Sequence, residues 1–285
     1  MGRAKEIIVK VIPSKIANDF VKKHHYSGKV DTRTQVSFGC FLDGKLHGCM
    51  QISPSINKHA SINLVKNTGW NEFAELARMA FDEYLPKYSE SRCISIMMKL
   101  LKKNAPHIKW IVSYADGTQC GDGTIYRASG FNLVDIKKNR SMWQMPNGEV
   151  CCSIIFNPGF NPGGKEKKAV QFGKSGIYES WPATRYLKHI GAYPIEGFQI
   201  KYIYFLDKES IKNLTVPILP FSKIDEMGAG MYKGEKISIK DRKICGNSIS
   251  SASGVQSEGD AQSNLTAPKL NKYLNNEPEQ LTRTL

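Results

Sequence analysis

Residues 108–131 read Ile-Lys-Trp-Ile-Val-Ser-Tyr-Ala-Asp-Gly-Thr-Gln-Cys-Gly-Asp-Gly-Thr-Ile-Tyr-Arg-Ala-Ser-Gly-Phe. The run Ile108–Ala115 is apolar and predicts a buried strand with Asp116 at its C-terminal end. A loop containing Gly117, Gly121 and Gly123 follows, then a short helix over Thr124–Ser129 that carries Tyr126. Ligands of α/β sheets gather beyond the carboxyl ends of strands, so Asp116 stands where chemistry is usually done. Ten residues later, Tyr126 can return a phenol toward the same opening. A carboxylate that takes a proton and a phenol that gives one suit a group-transfer site.

The flanking chain extends the pattern. Upstream, Ile94, Met97, Met98 and Leu101 form an i, i+3, i+4, i+7 stripe, predicting a core-facing helix capped by Ser89 or Ser91. Glu75–Phe81 fits helix or strand on pattern alone, and polar residues 53–72 predict a loop. Ser37–Leu42 and Leu46–Ile52 alternate around Asp43-Gly44, a hairpin signal. Residues 6–12 are β-branched and predict a first strand. Ile16, Ala17, Phe20 and Val21 then predict a helix ending in the cations Lys22, Lys23 and His24. The result is a mixed α/β (α+β) fold, a central sheet flanked by helices over residues 1–142.

Beyond Trp143 the texture changes. Residues 157–168 form a Pro/Gly-rich loop with Lys165, Lys167 and Lys168; Trp181–Ile190 predicts a helix stopped by Gly191, and Phe198–Leu206 a strand. Met227–Met231 reads as a tight or flexible turn. Residues 143–235 are expected as an extension packed on the core or completing it, and 236–285 as a disordered, Ser/Asn-rich tail.

Composition limits the function classes. Of 285 residues, 40 are basic and 26 acidic, a net charge of +14. The tail holds 7 basic and 5 acidic residues, leaving +12 (33 against 21) on residues 1–235. Nucleic acid is the first partner such a surplus suggests; solubility alone is the bland reading. Seven scattered cysteines without a Cys-x-x-Cys pair suit a reducing cytosol. No apolar run reaches the ~18 residues that span a bilayer, so a cytoplasmic protein with no membrane partner is expected. The histidines show no ligand spacing, and no dedicated metal site is predicted.

Three segments together resemble the GNAT acyltransferases: the Phe38–Ile52 hairpin, the unit Glu75–Leu101, and Tyr126-x-x-x-Gly130-Phe131. A closer resemblance joins His24-His25-Tyr26-Ser27-Gly28, Glu75-Leu-Ala-Arg-Met79, Ser113-Tyr-Ala-Asp116 and Phe198–Asp207. These are similar to the Mom family of phage DNA-modification proteins, over about residues 15–235. The resemblance implies conversion of adenine in DNA to N6-carbamoylmethyladenine, an anti-restriction activity of a phage or prophage acting in the host cytoplasm. It also implies a site of His25, Tyr26, Arg78, Ser91, Asp116 and Tyr126, to which Ser113 is added as a donor-side residue. The stretch Pro86–Arg92, where acetyl-CoA enzymes of the GNAT type carry a Gly-rich pyrophosphate loop, has no glycine and includes Glu90. Acetyl-CoA is therefore the alternative donor, and glycyl-tRNA the favoured one.

The partners that follow are duplex DNA with the target adenine extruded, and tRNA. Lys137, Lys138, Arg140, Trp143, Lys165, Lys167 and Lys168 are the expected nucleic-acid contacts. Bland readings compete: Asp116 as a loop cap, and Tyr126 as half-buried packing. Two rival functions remain, an acetyl-CoA-dependent N-acetyltransferase acting on another amine and a non-enzymatic DNA-binding anti-restriction protein.

Overall fold

A computed structural model describes residues 3–118, 121–139, 141–153, 171–174, 177–180, 183–232 and 235–236. The chain divides into a unit over Met1–Asn247, which holds every described element, and one over Ser248–Leu285. Residues 237–285 of the expected disordered tail, Arg140 and the basic loop with Lys165, Lys167 and Lys168 lie outside the described residues.

The described residues hold fourteen strands and six α-helices. In chain order they are β1 (Ile8–Ile12), α1 (Ser14–His24), β2 (Val36–Leu42), β3 (Lys45–Ser53), α2 (Lys58–Ile62), β4 (Phe73–Phe81), α3 (Ser89–Asn104) and β5 (Trp110–Asp116). Then come α4 (Thr124–Ala128), β6 (Asn132–Lys138), β7 (Met142–Gln144), β8 (Val150–Cys152), β9 (Gln171–Lys174), β10 (Ile177–Ser180), α5 (Ala183–His189), β11 (Tyr193–Pro194) and β12 (Phe198–Phe205). A short α6 (Ser222–Glu226) and the pair β13 (Met231–Tyr232) and β14 (Glu235–Lys236) follow.

The main sheet has seven strands in the order β1-β2-β3-β4-β5-β12-β6. It is antiparallel except between β4 and β5. The architecture is thus the mixed α/β one that the alternation of elements predicts. Strand β12 inserts between β5 and β6, so chain beyond residue 143 completes the core sheet. A boundary at 142/143 would fall inside β7, which pairs with β8 and β11 in a small second sheet.

Local chemistry explains the elements. Asp43 and Gly44 both take positive φ (51° and 74°), as the tight β2–β3 turn requires. Pairing with β3 on one side and β5 on the other makes the ambiguous stretch Glu75–Phe81 part of a strand, a long-range choice that its local pattern does not carry. Residues 53–72, expected as loop, contain α2; Asn57 caps it by accepting from the Ala60 N–H at 3.1 Å. The expected serine cap of α3 is absent: its N-cap is Tyr88, in the left-handed region (φ 68°), with no side-chain cap bond. Ser89 and Ser91 instead donate back to the carbonyls of Pro86 and Tyr88. Met227–Met231 is a tight turn, with Gly228 at φ 62° and Ala229 fully buried.

Burial assigns the two faces of the sheet. Ile111, Ala115, Phe198, Ile200 and Tyr202 pack with α3 and with Tyr126 of α4 on one face. On the other, Val112, Trp110 and Ile203 pack with Leu64 and Val65 just after α2. Cys49 and Ala80 pack there under Ala17 and Val21 of α1.

Candidate active site

The sheet forks where the site lies. β4 and β5 pair in parallel from Phe73↔Trp110 to Leu76↔Ser113, where the pairing ends. Beyond that point Ala77–Phe81 and Tyr114–Asp116 run on without pairing to each other. A bulge reinforces the change: Gln51 pairs with Arg78 and Ile52 with Leu76, so Ala77 is the extra residue. Since side chains alternate along a strand, this insertion decides which way Arg78 faces. It shares a face with Gln51, which bonds Asn18 of α1 (2.9 Å), whereas Met79 and Phe81 turn to the α3 side.

Arg78 organises the loop after α1. Its Nε donates to the Lys29 carbonyl at 3.0 Å and its Nη1 to the Ala77 carbonyl at 2.7 Å. His25 ends α1, where its backbone N–H still bonds Val21 O. The Nδ1 of His25 accepts from the Ser27 N–H (3.2 Å) and lies 2.8 Å from Ser27 Oγ. An N–H donor to Nδ1 fixes the neutral tautomer with hydrogen on Nε2. Burial, and then the Arg78 charge, push the His25 pKa down to about 4. The exposed Tyr26 ring lies against this imidazole, centroids 4.3 Å apart. His25, Tyr26 and Arg78 are therefore one cluster on the α1 side.

Asp116 reaches the same side by alternation. Trp110, Val112 and Tyr114 face α2, and Asp116 is next in that series. Its Oδ1 accepts from the Thr118 N–H at 3.0 Å, the bond of an aspartate that shapes the turn after it. Gly117 and Thr118 bind back to Phe198 of β12, at 2.8 and 3.2 Å, which anchors the end of β5.

Tyr126 approaches from the other side. It is 8% exposed and packs against Phe131 and Tyr202, with ring centroids 5.3 and 5.2 Å away. Gly123 places the start of α4: its φ is 76°, and an added Cβ would lie 2.6 Å from the Tyr202 ring. Tyr126 thus lies on the opposite face of the sheet from Asp116.

The remaining expected residues divide clearly. Ser113 is fully buried and donates to the Leu76 carbonyl at 2.8 Å, fastening the last paired rung below the fork. Ser91 lies in the first turn of α3, its hydroxyl spent on the Tyr88 carbonyl. Lys137 faces the Asp116 side and pairs with Asp135 at 3.3 Å; Lys138 alternates away and pairs with Glu196 at 3.6 Å. Trp143, expected as a stacking surface, is 4% exposed and enclosed by Leu187, Ala192 and Tyr186. Its ring packs the small sheet against α5, so no face is left for a base.

A polar cluster that sequence reasoning did not assign lies on the α2 side. Glu75 is buried in β4 and accepts from the Ile56 N–H at 3.0 Å. Desolvation raises its pKa. Ser55 and Ser61, both buried, share a 2.8 Å hydrogen bond, and the Tyr114 phenol, its pKa raised chiefly by burial, lies close to them. The legible signal was an acid inside the apolar run Phe73–Phe81.

A sequence model described as the Mom protein family matches residues 6–223. The chain belongs to the Mom family. The methylcarbamoylase Mom of Escherichia phage Mu is 27% identical over 216 residues, covering 75% of this chain and 82% of the phage protein. Among solved structures, a Bacillus subtilis acetyltransferase in complex with CoA superposes with a TM-score of 0.38 at 10% identity, over 70% of this chain and 98% of its own. A GNAT family acetyltransferase from Elizabethkingia anophelis with acetyl-CoA bound gives 0.35 at 13% identity, over 70% and 97%.

Proposed function

We propose that this Mom family protein is a DNA-modifying transferase that converts adenine to N6-carbamoylmethyladenine, with a glycyl ester of tRNA as donor. The reading is supported by the cluster of Arg78 and His25 near the end of the β4–β5 pairing, with Asp116 on the same face of the sheet. Membership of a family that includes a methylcarbamoylase supports it.

The chemistry balances without a further reactant. The adenine N6 amine attacks the glycyl carbonyl; the N–C bond forms, the ester C–O bond breaks, and the tRNA hydroxyl leaves with a proton. The product is N6–CO–CH2–NH2. Its free amine then attacks C6 through a five-membered ring, and the original N6 departs as the amide nitrogen. C6–NH–CH2–CO–NH2 results, an isomerisation in which no atom is gained or lost. Asp116 takes or orients the amine proton, and Tyr126 donates toward the leaving oxygen, each the kind of step worth ~10²–10⁴-fold. Arg78 stabilises developing negative charge. Tyr26, exposed on its His25 support, offers an aromatic face to the extruded base.

The alternative donor, acetyl-CoA, fits the start of α3 poorly. Ser89 N–H is already bonded to Pro86 O, both serine hydroxyls turn back to the chain, and Glu90 adds negative charge in the first turn. A pyrophosphate needs free N–H groups and positive potential there.

Asp116→Asn tests the assignment. Nucleosides from duplex DNA treated with the variant should contain no modified adenine, while affinity for the duplex stays within twofold of the parent. Retained modification would remove Asp116 from the mechanism.

A further inference from the structure

The face of the sheet that carries Asp116 is covered unevenly. α1 covers its β2–β4 side, and residues around Leu64, Val65 and Leu214 cover the lower ends of β5 and β12. Above that apolar patch, the middle of the sheet is polar: Tyr114 of β5, Lys201 of β12, and Asp135 and Lys137 of β6. They form a strip across three neighbouring strands. Asp135 is shared, 3.4 Å from the Lys201 Nζ and 3.3 Å from the Lys137 Nζ. Lys201 retains 18% of its side-chain exposure and its Nζ lies 5.8 Å from the Tyr114 ring centroid.

Cross-strand pairing of Lys201 with Asp135 does not account for two lysines on one carboxylate. Two ammonium groups against one acid leave a surplus positive charge beside Asp116, two residues along β5 from Tyr114. A carboxylate that must meet an amine on DNA stands in the field of the phosphates, and adjacent cations offset that repulsion.

We propose that the strip Lys137–Asp135–Lys201–Tyr114 is the floor on which duplex DNA lies beside the extruded nucleotide, with Lys201 taking a phosphate next to the target. This rests on the transfer reading for its choice of DNA over tRNA: the acceptor amine must reach Asp116, and the strip shares that face. Asp135 holds the two lysines apart and ready, and limits their grip on DNA without an extruded base.

The test is salt-dependent binding of the full chain to duplex DNA, with glycyl-tRNA binding measured in parallel. Lys201→Met, which keeps the bulk of the stem, should weaken duplex binding several-fold at low salt. It should also reduce the slope of log affinity against log salt by about 1. Asp135→Asn should strengthen duplex binding. Neither change should alter tRNA affinity, and unchanged thermal midpoints exclude misfolding. The inference is overturned if Lys201→Met leaves duplex affinity and slope unchanged, or weakens tRNA binding instead. Wild-type protein that binds duplex through Lys201 yet modifies no adenine would sink the transfer reading and leave the DNA floor standing.

Discussion

His25 shows how much a single residue's surroundings decide. Its imidazole is neutral at physiological pH because burial and Arg78 both disfavour the charged form, lowering the pKa to about 4 from 6.5. As pH falls below 6.5 the unfolded chain takes up a proton that the folded chain refuses until about pH 4. Stability from this group is therefore complete above 6.5 and is lost as pH falls through that window. His25→Gln should flatten the fall in thermal midpoint between pH 6.5 and 4. In Arg78→Ala, an NMR titration should find His25 moved upward but still below its ordinary value, since burial is the larger cause. A titration identical to the parent's would mean that Arg78 does not act on His25. The dipeptide His25-Tyr26 was legible as a candidate, and so was Arg78. What sequence does not state is the bulge at Ala77, which turns Arg78 toward them; a bulge follows from pairing with β3, which no local pattern encodes.

Among the elements, those with a strong period or turn chemistry were readable and those set by tertiary pairing were not. The Ile94–Leu101 stripe became α3, and Asp43-Gly44 became the hairpin turn. Neither serine caps α3, because the chain enters that helix through a left-handed Tyr88 and both hydroxyls find nearer carbonyls. Trp143 read as a surface aromatic, since nothing local reveals that α5 folds over it. The insertion of β12 beside β5 is likewise a long-range fact. α4 depends on such a contact: Gly123 is required both by its positive φ and by the Tyr202 ring against it. Gly123→Ala should cost about 1–3 kcal/mol of stability and displace Tyr126, read as a lower thermal midpoint and a loss of modification larger than the loss of DNA binding. An unchanged midpoint would show that the turn tolerates a side chain.

At the scale of the whole molecule, charge and fold serve one another. The surplus of +12 on residues 1–235 was readable, but its direction was not; alternation sends Lys137 to the Asp116 face and Lys138 to Glu196 on the other. Asp116 and Tyr126, ten residues apart in the chain, lie on opposite faces of the sheet, near where the parallel β4–β5 pairing ends at Leu76 and Ser113 for Asp116 and against Tyr202 for Tyr126. Glycyl transfer to adenine must leave donor-derived label in the base. Purified protein is incubated with duplex DNA and either tRNA charged with labelled glycine or labelled acetyl-CoA, and the digested nucleosides are resolved by mass spectrometry. Glycyl transfer predicts labelled N6-carbamoylmethyladenine from glycyl-tRNA alone. Adenine that stays unlabelled with glycyl-tRNA but takes label from acetyl-CoA would contradict it.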